Sequence, residues 1–257
     1  MNYTPYLILA AVLFVALYFI FKKKKNVAIQ ISKVDQSLLA NHVVFYQNLT
    51  SKRKQLFEQK VANFLGATII SGVGVEINQL DKLLVAASAV IPIFGFEDWQ
   101  YKNLTNVLLY PDTFNTNFQF EGAERNIMGM VGTGYLNGQM VLSLSALHHG
   151  FSKSAGKENT GIHEFVHLLD KSDGATDGIP ENLMSHEYTL PWVKMMHEEI
   201  EKIEDNKSDI NPYAITNQAE FFAVVSEYFF EQPEILKDKH PDLYDVLSKV
   251  FGQNLVR

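Results

Sequence analysis

The chain contains no cysteine in its 257 residues. That excludes a disulfide framework and any thiolate metal site, and it suits a reducing compartment. Basic residues are also short: 22 Lys and Arg stand against 29 Asp and Glu, a formal net charge of −7. Four of the basic residues are packed into Lys22–Lys25, so the rest of the chain carries 18 basic against 29 acidic side chains. Such a surface argues against nucleic acid as a partner. Long repeats and low-complexity runs are missing too, which leaves a solenoid without support. With 47% hydrophobic residues the chain can bury a sizeable core, enough for one domain of about 210 residues or two small ones.

One long apolar run exists, at the N-terminus. Tyr6 to Phe21 reads YLILAAVLFVALYFIF without a break, and counting from Tyr3 gives nineteen residues. As a helix this is about 28 Å, close to the roughly 30 Å hydrocarbon core of a bilayer. Tyr3, Tyr6, Tyr18 and Phe19 put aromatic rings near both ends, where interfaces favour them. A cleaved signal peptide wants a basic start and a small-residue cleavage site. This segment starts uncharged and ends Tyr-Phe-Ile-Phe-Lys. Residues 1–25 are therefore expected to be an uncleaved single-pass anchor with a basic flank. The lysines on its C-terminal side keep the following domain in the cytoplasm by the positive-inside rule, which places the chain at the cell (inner) membrane.

The chemistry concentrates at His163-Glu164-Phe165-Val166-His167, an H-E-x-x-H pattern. Ile162, Phe165, Val166, Leu168 and Leu169 make its surroundings apolar, and Asn159 and Thr160 are good N-cap residues just before it. In a helix, residues four apart share a face one turn apart, so the two imidazoles can grip one ion. Zinc suits nitrogen ligands with an open fourth position. Glu164 sits where its carboxylate reaches a water on that ion, and zinc lowers the pKa of such a water to about 7. The pattern points to metal-assisted hydrolysis, above all of a peptide bond.

A third ligand has to come from elsewhere. Asn217 to Phe230 is apolar except for Glu220, Ser226 and Glu227 after its first residues, and the two glutamates, seven apart, share a face. A carboxylate directed from an apolar helix toward a core needs a partner. Glu220 is the candidate metal ligand. Asn217 three residues earlier offers the competing role of a capping box, in which Glu220 bonds only its own helix start. Asp170 and Glu227 are candidates to hold a ligand histidine by its second nitrogen; Asp170 equally suits a cap or a surface salt bridge. His148 and His149 are adjacent, so they point apart and are poor joint ligands; one could touch substrate, while two ordinary surface residues is the simpler reading.

With these residues in view, Tyr213-Ala-Ile-Thr-Asn-Gln-Ala-Glu220-Phe-Phe-Ala after His163-Glu-Phe-Val-His167 resembles the catalytic half of the Mlc titration factor A family of zinc metallopeptidases. The tyrosine-to-glutamate spacing is also similar to that in the catalytic domain of anthrax lethal factor, a more distant relative. Further matching pieces are Gly72-Val-Gly-Val-Glu76, Val107-Leu-Leu-Tyr-Pro-Asp112, Met140-Val-Leu-Ser143, His167-Leu-Leu-Asp170 with Asp177-Gly-Ile-Pro180, and Phe229-Phe-Glu-Gln-Pro233 with His240-Pro-Asp-Leu-Tyr244. The resemblance runs from about Tyr46 to the C-terminus. It implies a zincin-like, gluzincin-like domain over residues 46–257, with His163, His167 and Glu220 on one zinc ion, Glu164 as general base, and Tyr213 as donor to the developing oxyanion. A phenol is a donor at neutral pH, and a donor aimed at new negative charge is a large catalytic term. The implied partner is a peptide or protein substrate, with endopeptidase and aminopeptidase action both open. Because the family includes a member that sequesters a transcriptional repressor, capture of a regulatory protein is the alternative. Two departures stand out. The relatives are typically soluble, and Leu144-Ser145-Ala146 replaces a Trp-Asp often found there.

The remaining pattern reads as α+β, a small sheet with helices on one side. Residues 26–45 are a linker and the start of the first helix, and Val34–Phe64 reads as helical. Ala67–Ile77 is a strand or loop, and Leu80–Val90 a buried helix. Val107–Tyr110 and Met140–Leu144 read as strands, the second expected from the resemblance to border the cleft. Phe114–Asn137 reads as an irregular hairpin or loop region. Helices are expected near Pro191–Asp205 and near Leu243–Phe251.

Overall fold

The structure, a computed structural model, describes residues 29–122, 124–184 and 186–256. The expected anchor lies outside the described residues, among which no helix is long and apolar enough to cross a membrane.

Four short strands form one mixed sheet: β1 (Ile69–Gly72), β2 (Asn106–Tyr110), β3 (Gly129–Val131) and β4 (Gln139–Ser143), in the order β1-β2-β4-β3. β1, β2 and β4 run parallel, and β3 pairs antiparallel with β4, setting Gly129 opposite Leu142 and Val131 opposite Met140. Strand alternation sends Val107, Leu109, Met140 and Leu142 to one face, where they join the main core. The other face carries Tyr110 and Val141, covered by Phe114 and its neighbours in a second, smaller apolar cluster. The helices thus lie on one side, as the α+β reading expects.

Ten α-helices occur among the described residues. The stretch expected as one helix from Val34 to Phe64 is three: α1 (Lys33–His42), α2 (Val44–Gln47) and α3 (Ser51–Ala67). Val43 and Val44 are adjacent β-branched residues, stiff at χ1 and weak in helices, and Val43 is extended (φ −113°, ψ 98°). Thr50, also extended, starts the third. Leu39, Val43 and Tyr46 are buried in the main core with the rest of the domain.

The most buried early helix is α4 (Gln79–Ile93), opened by a reciprocal capping box between Asn78 and Asp81 and buried at every residue from Leu83 to Ile93. Against it packs α6 (Thr160–Asp170), preceded by the short α5 (Leu144–Gly150). On the far side of α6 packs α8 (Gln218–Glu231), with β3 also against α6. α7 (His186–Glu204) begins five residues ahead of Pro191, which sits inside it at the cost of a backbone hydrogen bond. The C-terminal part holds two helices where one was expected, α9 (Pro233–Lys239) and α10 (Pro241–Val250), each with proline at its first turn.

Two expectations need correction here. Met140–Leu144 ends as a strand at Ser143, whose side chain caps α5 by accepting from the Ala146 N–H. It also lies inside the sheet, between β2 and β3, and does not form its edge. The edge strand at the cleft is Gly129–Val131, within the segment read as an irregular hairpin or loop, where Phe114 and Ile127 also form an antiparallel bridge. Its three residues are too few to show any alternation.

Candidate metal centre

Asn159 starts α6, its side-chain oxygen accepting from the Ile162 N–H at 3.1 Å. From that start, Ile162, Phe165, Val166 and Leu169 turn fully into the core. His163, Glu164 and His167 turn the other way, into a cleft of about 600 Å³. The two histidine rings stand 4.7 Å apart at centroid, with Nε2 to Nε2 at 3.1 Å.

Both roles weighed for Glu220 have a physical trace, divided between backbone and side chain. Its N–H donates to the Asn217 side chain at 2.9 Å, so Asn217 caps α8. Its carboxylate does not complete the box; Oε2 lies 2.9 Å from His163 Nε2 and 3.5 Å from His167 Nε2. The three ligand atoms form a triangle with sides of 2.9, 3.1 and 3.5 Å. Tetrahedral zinc, with ligands about 2.0–2.1 Å away, sets those ligands roughly 3.3–3.4 Å apart. The donor set fits the ion. His163, His167 and Glu220 also form the one group of three or more such side chains among the described residues placed to hold a metal.

Glu227, two turns after Glu220, takes the other side of the same ring. The Nδ1–H of His163 donates to Glu227 Oε1 at 2.7 Å, and Glu227 Oε2 accepts from the Asn159 N–H at the start of α6. One carboxylate thus orients a histidine and ties the two helices. Asp170 does neither of the things expected of it. It is fully buried; its Oδ2 accepts from the Gly178 N–H at 2.9 Å, and its Oδ1 has no partner among the described residues. His167 Nδ1 is likewise buried and unpaired. Gly178 has φ +76°, and a Cβ there would lie 2.2 Å from the Gln218 carbonyl at the start of α8, so only glycine fits this joint.

The electrostatics follow from burial and proximity. Burial pushes the Glu220 carboxyl up, but its bonds to His163 and His167 win and hold it down at about 2. Burial also lifts Glu164, against the pull of the two histidines. For His163 burial favours the neutral ring, and Glu227 with Glu220 outweighs it, raising the pKa well above the ordinary value. Asp170 is pushed up to about 6, chiefly by burial.

Tyr213 lies on a 3-10 turn, Pro212–Ile215, started by the Asn211 side chain accepting from its N–H at 2.9 Å. It lines the cleft with its ring 6.2 Å from that of His163, and more than half of it is exposed. Burial, then Glu220, Glu164 and Glu227, raise its phenol pKa, so it is a donor across the neutral range. His148 and His149 stay out of the cleft: His148 bonds the buried Asp81 at 2.6 Å, and His149 is exposed. Ser145, at the departure from the Trp-Asp pattern, donates to Asp112 at 2.6 Å.

One neighbour of the cleft left no sequence signal. A Cβ on Gly129 would lie 2.6 Å from Glu164 Cγ and 2.7 Å from its Oε1. The edge strand therefore presses bare backbone against the Glu164 carboxylate. Lys171 and Thr133 also line the cleft without having stood out in the sequence, as does Asp177 from the matching piece Asp177–Pro180.

The sequence model of the glucose-regulated metallo-peptidase M90 family matches residues 20–252. An uncharacterized protein of Synechocystis is 29% identical over 228 residues, 84% of this chain and 82% of the relative. Mlc titration factor A of Pectobacterium atrosepticum is 32% identical over 180 residues, 64% of this chain and 65% of its own length. Mlc titration factor A of Escherichia fergusonii is 29% identical over 197 residues, 70% and 71% of the two chains.

Proposed function

The chain belongs to the glucose-regulated metallo-peptidase M90 family, and on that premise we propose that it is a zinc-dependent metallopeptidase that hydrolyses peptide bonds. The observation that carries the reading is the triangle of His163 Nε2, His167 Nε2 and Glu220 Oε2, open to a cleft that Glu164 and Tyr213 share. Zinc held there supplies Lewis-acid chemistry, making water nucleophilic at neutral pH and polarising a carbonyl.

The chain's own residues then divide the remaining tasks. Glu164, buried and beside the ligands, takes the proton from the attacking water and returns it to the leaving amine. Its raised pKa suits a group that must both accept and give a proton. Tyr213 donates a hydrogen bond to the oxygen on which negative charge develops. Glu227 holds His163 with Nε2 turned toward Glu220 and His167, where it would be a ligand to the metal. The wall of the cleft is β3, whose free edge can pair with an extended peptide.

Anchoring by residues 1–25 is part of the proposal. The apolar run and the lysines after it support a single pass with the peptidase domain in the cytoplasm. A second reading rests on the relatives named Mlc titration factor A: the domain captures a regulatory protein, a transcriptional repressor among the possibilities, and cleaves nothing.

One experiment separates the two. The full chain, purified in detergent, is analysed for metal and assayed against a peptide library with and without chelator. We expect about one zinc per chain, chelator-sensitive cleavage, loss of most zinc in a His163→Ala, His167→Ala double variant, and weaker zinc in Glu220→Gln. Full zinc retention in the double variant would sink the metal assignment. Zinc without cleavage, together with stable binding of a repressor, would favour capture. The anchor is tested by alkali extraction of membranes, which a spanning helix resists, and by protease added to sealed inverted vesicles, which should reach the domain.

A further inference from the structure

The metal cleft continues past the end of β3. A second cavity, of about 590 Å³, adjoins it there, and Val131 and Lys171 line both. Its walls mix the rings of Trp99 and Tyr101 and the side chain of Leu168 with the amides of Asn103 and Asn137. Lys171 stands at the junction. Its ammonium donates to the Gly132 carbonyl at 3.2 Å, and that is its one partner among the described residues. An ammonium has three N–H groups, so two remain to offer. Asp98 and Lys102, one charge of each sign, also line the second cavity, and among the described residues Lys171 is the one cation that lines both it and the metal cleft, where Glu164, Glu220 and Asp177 are acidic.

The register of β3 gives a distance scale. Gly129 abuts Glu164, and Gly132 lies three residues further along, about 10 Å at roughly 3.3 Å per residue. An extended peptide laid along this edge with its scissile bond at Glu164 therefore brings a residue two or three positions away to Lys171. We propose that this cavity is a side-chain subsite, and that Lys171 selects a substrate with an acidic residue two or three positions from the scissile bond. The methylenes of a glutamate lie against Trp99 and Leu168, and its carboxylate meets Lys171 and the flanking amides. A charge-assisted bond to an otherwise unpaired ammonium is the strong kind. The inference rests on the peptidase reading for the position of the cut, but not for the binding.

The test uses the full chain, zinc-loaded in detergent, and pools of dodecapeptides without charged residues except one Glu, Gln or Lys placed at each position in turn. Cut sites are read by mass spectrometry. The Glu pool should be cut about tenfold faster than the Gln pool, the scale of a hydrogen bond to a charged group, with Glu two or three positions from the cut. Lys171→Met should bring that ratio to near one, and Lys171→Glu should shift preference to the Lys pool. Equal cutting of the Glu and Gln pools, or a Glu preference that survives Lys171→Glu, overturns the proposal. Binding of the same pools to the Glu164→Gln protein, followed by fluorescence anisotropy, separates the two ideas. If no peptide is cut by the unmodified chain but the Glu pool binds in a Lys171-dependent way, the subsite stands and the peptidase reading falls. If binding ignores both glutamate and Lys171, or no pool binds or is cut, the subsite assignment fails.

Discussion

Glu220 and Glu227, two turns apart on one helix, hold opposite ring nitrogens of His163, at 2.9 Å from Nε2 and 2.7 Å from Nδ1. The seven-residue spacing puts both carboxylates on one face, and the ring fits between them. One carboxylate faces the ion site, the other fixes which nitrogen does. Replacing Glu227 by Gln should therefore keep the fold and lower zinc affinity about 10- to 100-fold, the usual scale for a group that orients a ligand histidine. Competition with a zinc-binding dye measures this; unchanged affinity would reduce Glu227 to a tie between helices.

Glu164→Gln should retain zinc and lose hydrolysis, because the proton acceptor goes while the three ligands stay. Tyr213→Phe should also retain zinc, with kcat down by about 10²-fold, the scale of removing one oxyanion donor. Steady-state kinetics on a cleaved library peptide would decide, and a normal rate in Tyr213→Phe would make Tyr213 an ordinary rim aromatic.

Gly129→Ala places a methyl 2.6 Å from Glu164 Cγ. Either β3 or the carboxylate must give way. A displacement near 1 Å at a reacting group costs on the order of 10²-fold in rate. Loss of turnover with zinc content and Tm near normal is the expected result; a fully active Gly129→Ala would mean that the strand yields freely.

A pH dependence follows from the group that anchors the Tyr213 loop. His240 Nδ1 lies 3.1 Å from Glu199, and Nε2 lies 2.9 Å from Asp209, four residues before Tyr213. The bond to Glu199 raises the His240 pKa most, burial opposes, and Asp209 adds to the rise. Burial pushes Glu199 and Asp209 up, but their bonds, to His240 and Lys202 for the first and to Lys157, Lys239, His240 and Tyr228 for the second, win and lower both. The His240 contribution is complete below its unfolded pKa of about 6.5 and is lost as pH rises through its higher folded value. The carboxylate contributions are complete above about 4 and are lost as pH falls through their lower folded values. Other carboxyls, Asp170 among them, titrate in the same range, so the readout is the Tm difference between the unmodified chain and His240→Gln. That difference should be largest between those limits and should shrink as pH rises through the folded His240 value. A difference that does not change with pH would assign the dependence to another group.

The parts legible in the sequence were those with long period or strict spacing. The helix around His163, the apolar helix carrying Glu220 and the one-sided sheet could all be read, because burial writes a repeating pattern into ten or more residues. Glu220 was readable as a carboxylate out of place, though the cap and the carboxylate destination could be separated only in three dimensions. The edge strand was not readable, since Gly129, Met130 and Val131 span too little chain to alternate. Lys171 was hidden for another reason. An unpaired lysine looks the same in sequence whether it faces solvent or a cavity.

The second apolar cluster has a consequence for how the cleft behaves. Its floor, helices α6 and α8, is rooted in the main core, while Met130 in its wall packs against the small cluster around Phe114 and Tyr110. Floor and wall therefore draw in part on different apolar clusters, with Val131 tying the wall to the main core, and the side of β3 that carries Met130 is expected to open at lower free energy. Amide exchange should be faster at Ile127 and Met130 than at Val166 and Val225. On the proposed function, loosening of the Met130 side of β3 would widen the cleft while His163, His167 and Glu220 keep their spacing, so admission of a bulky peptide and retention of the metal would rest on different clusters.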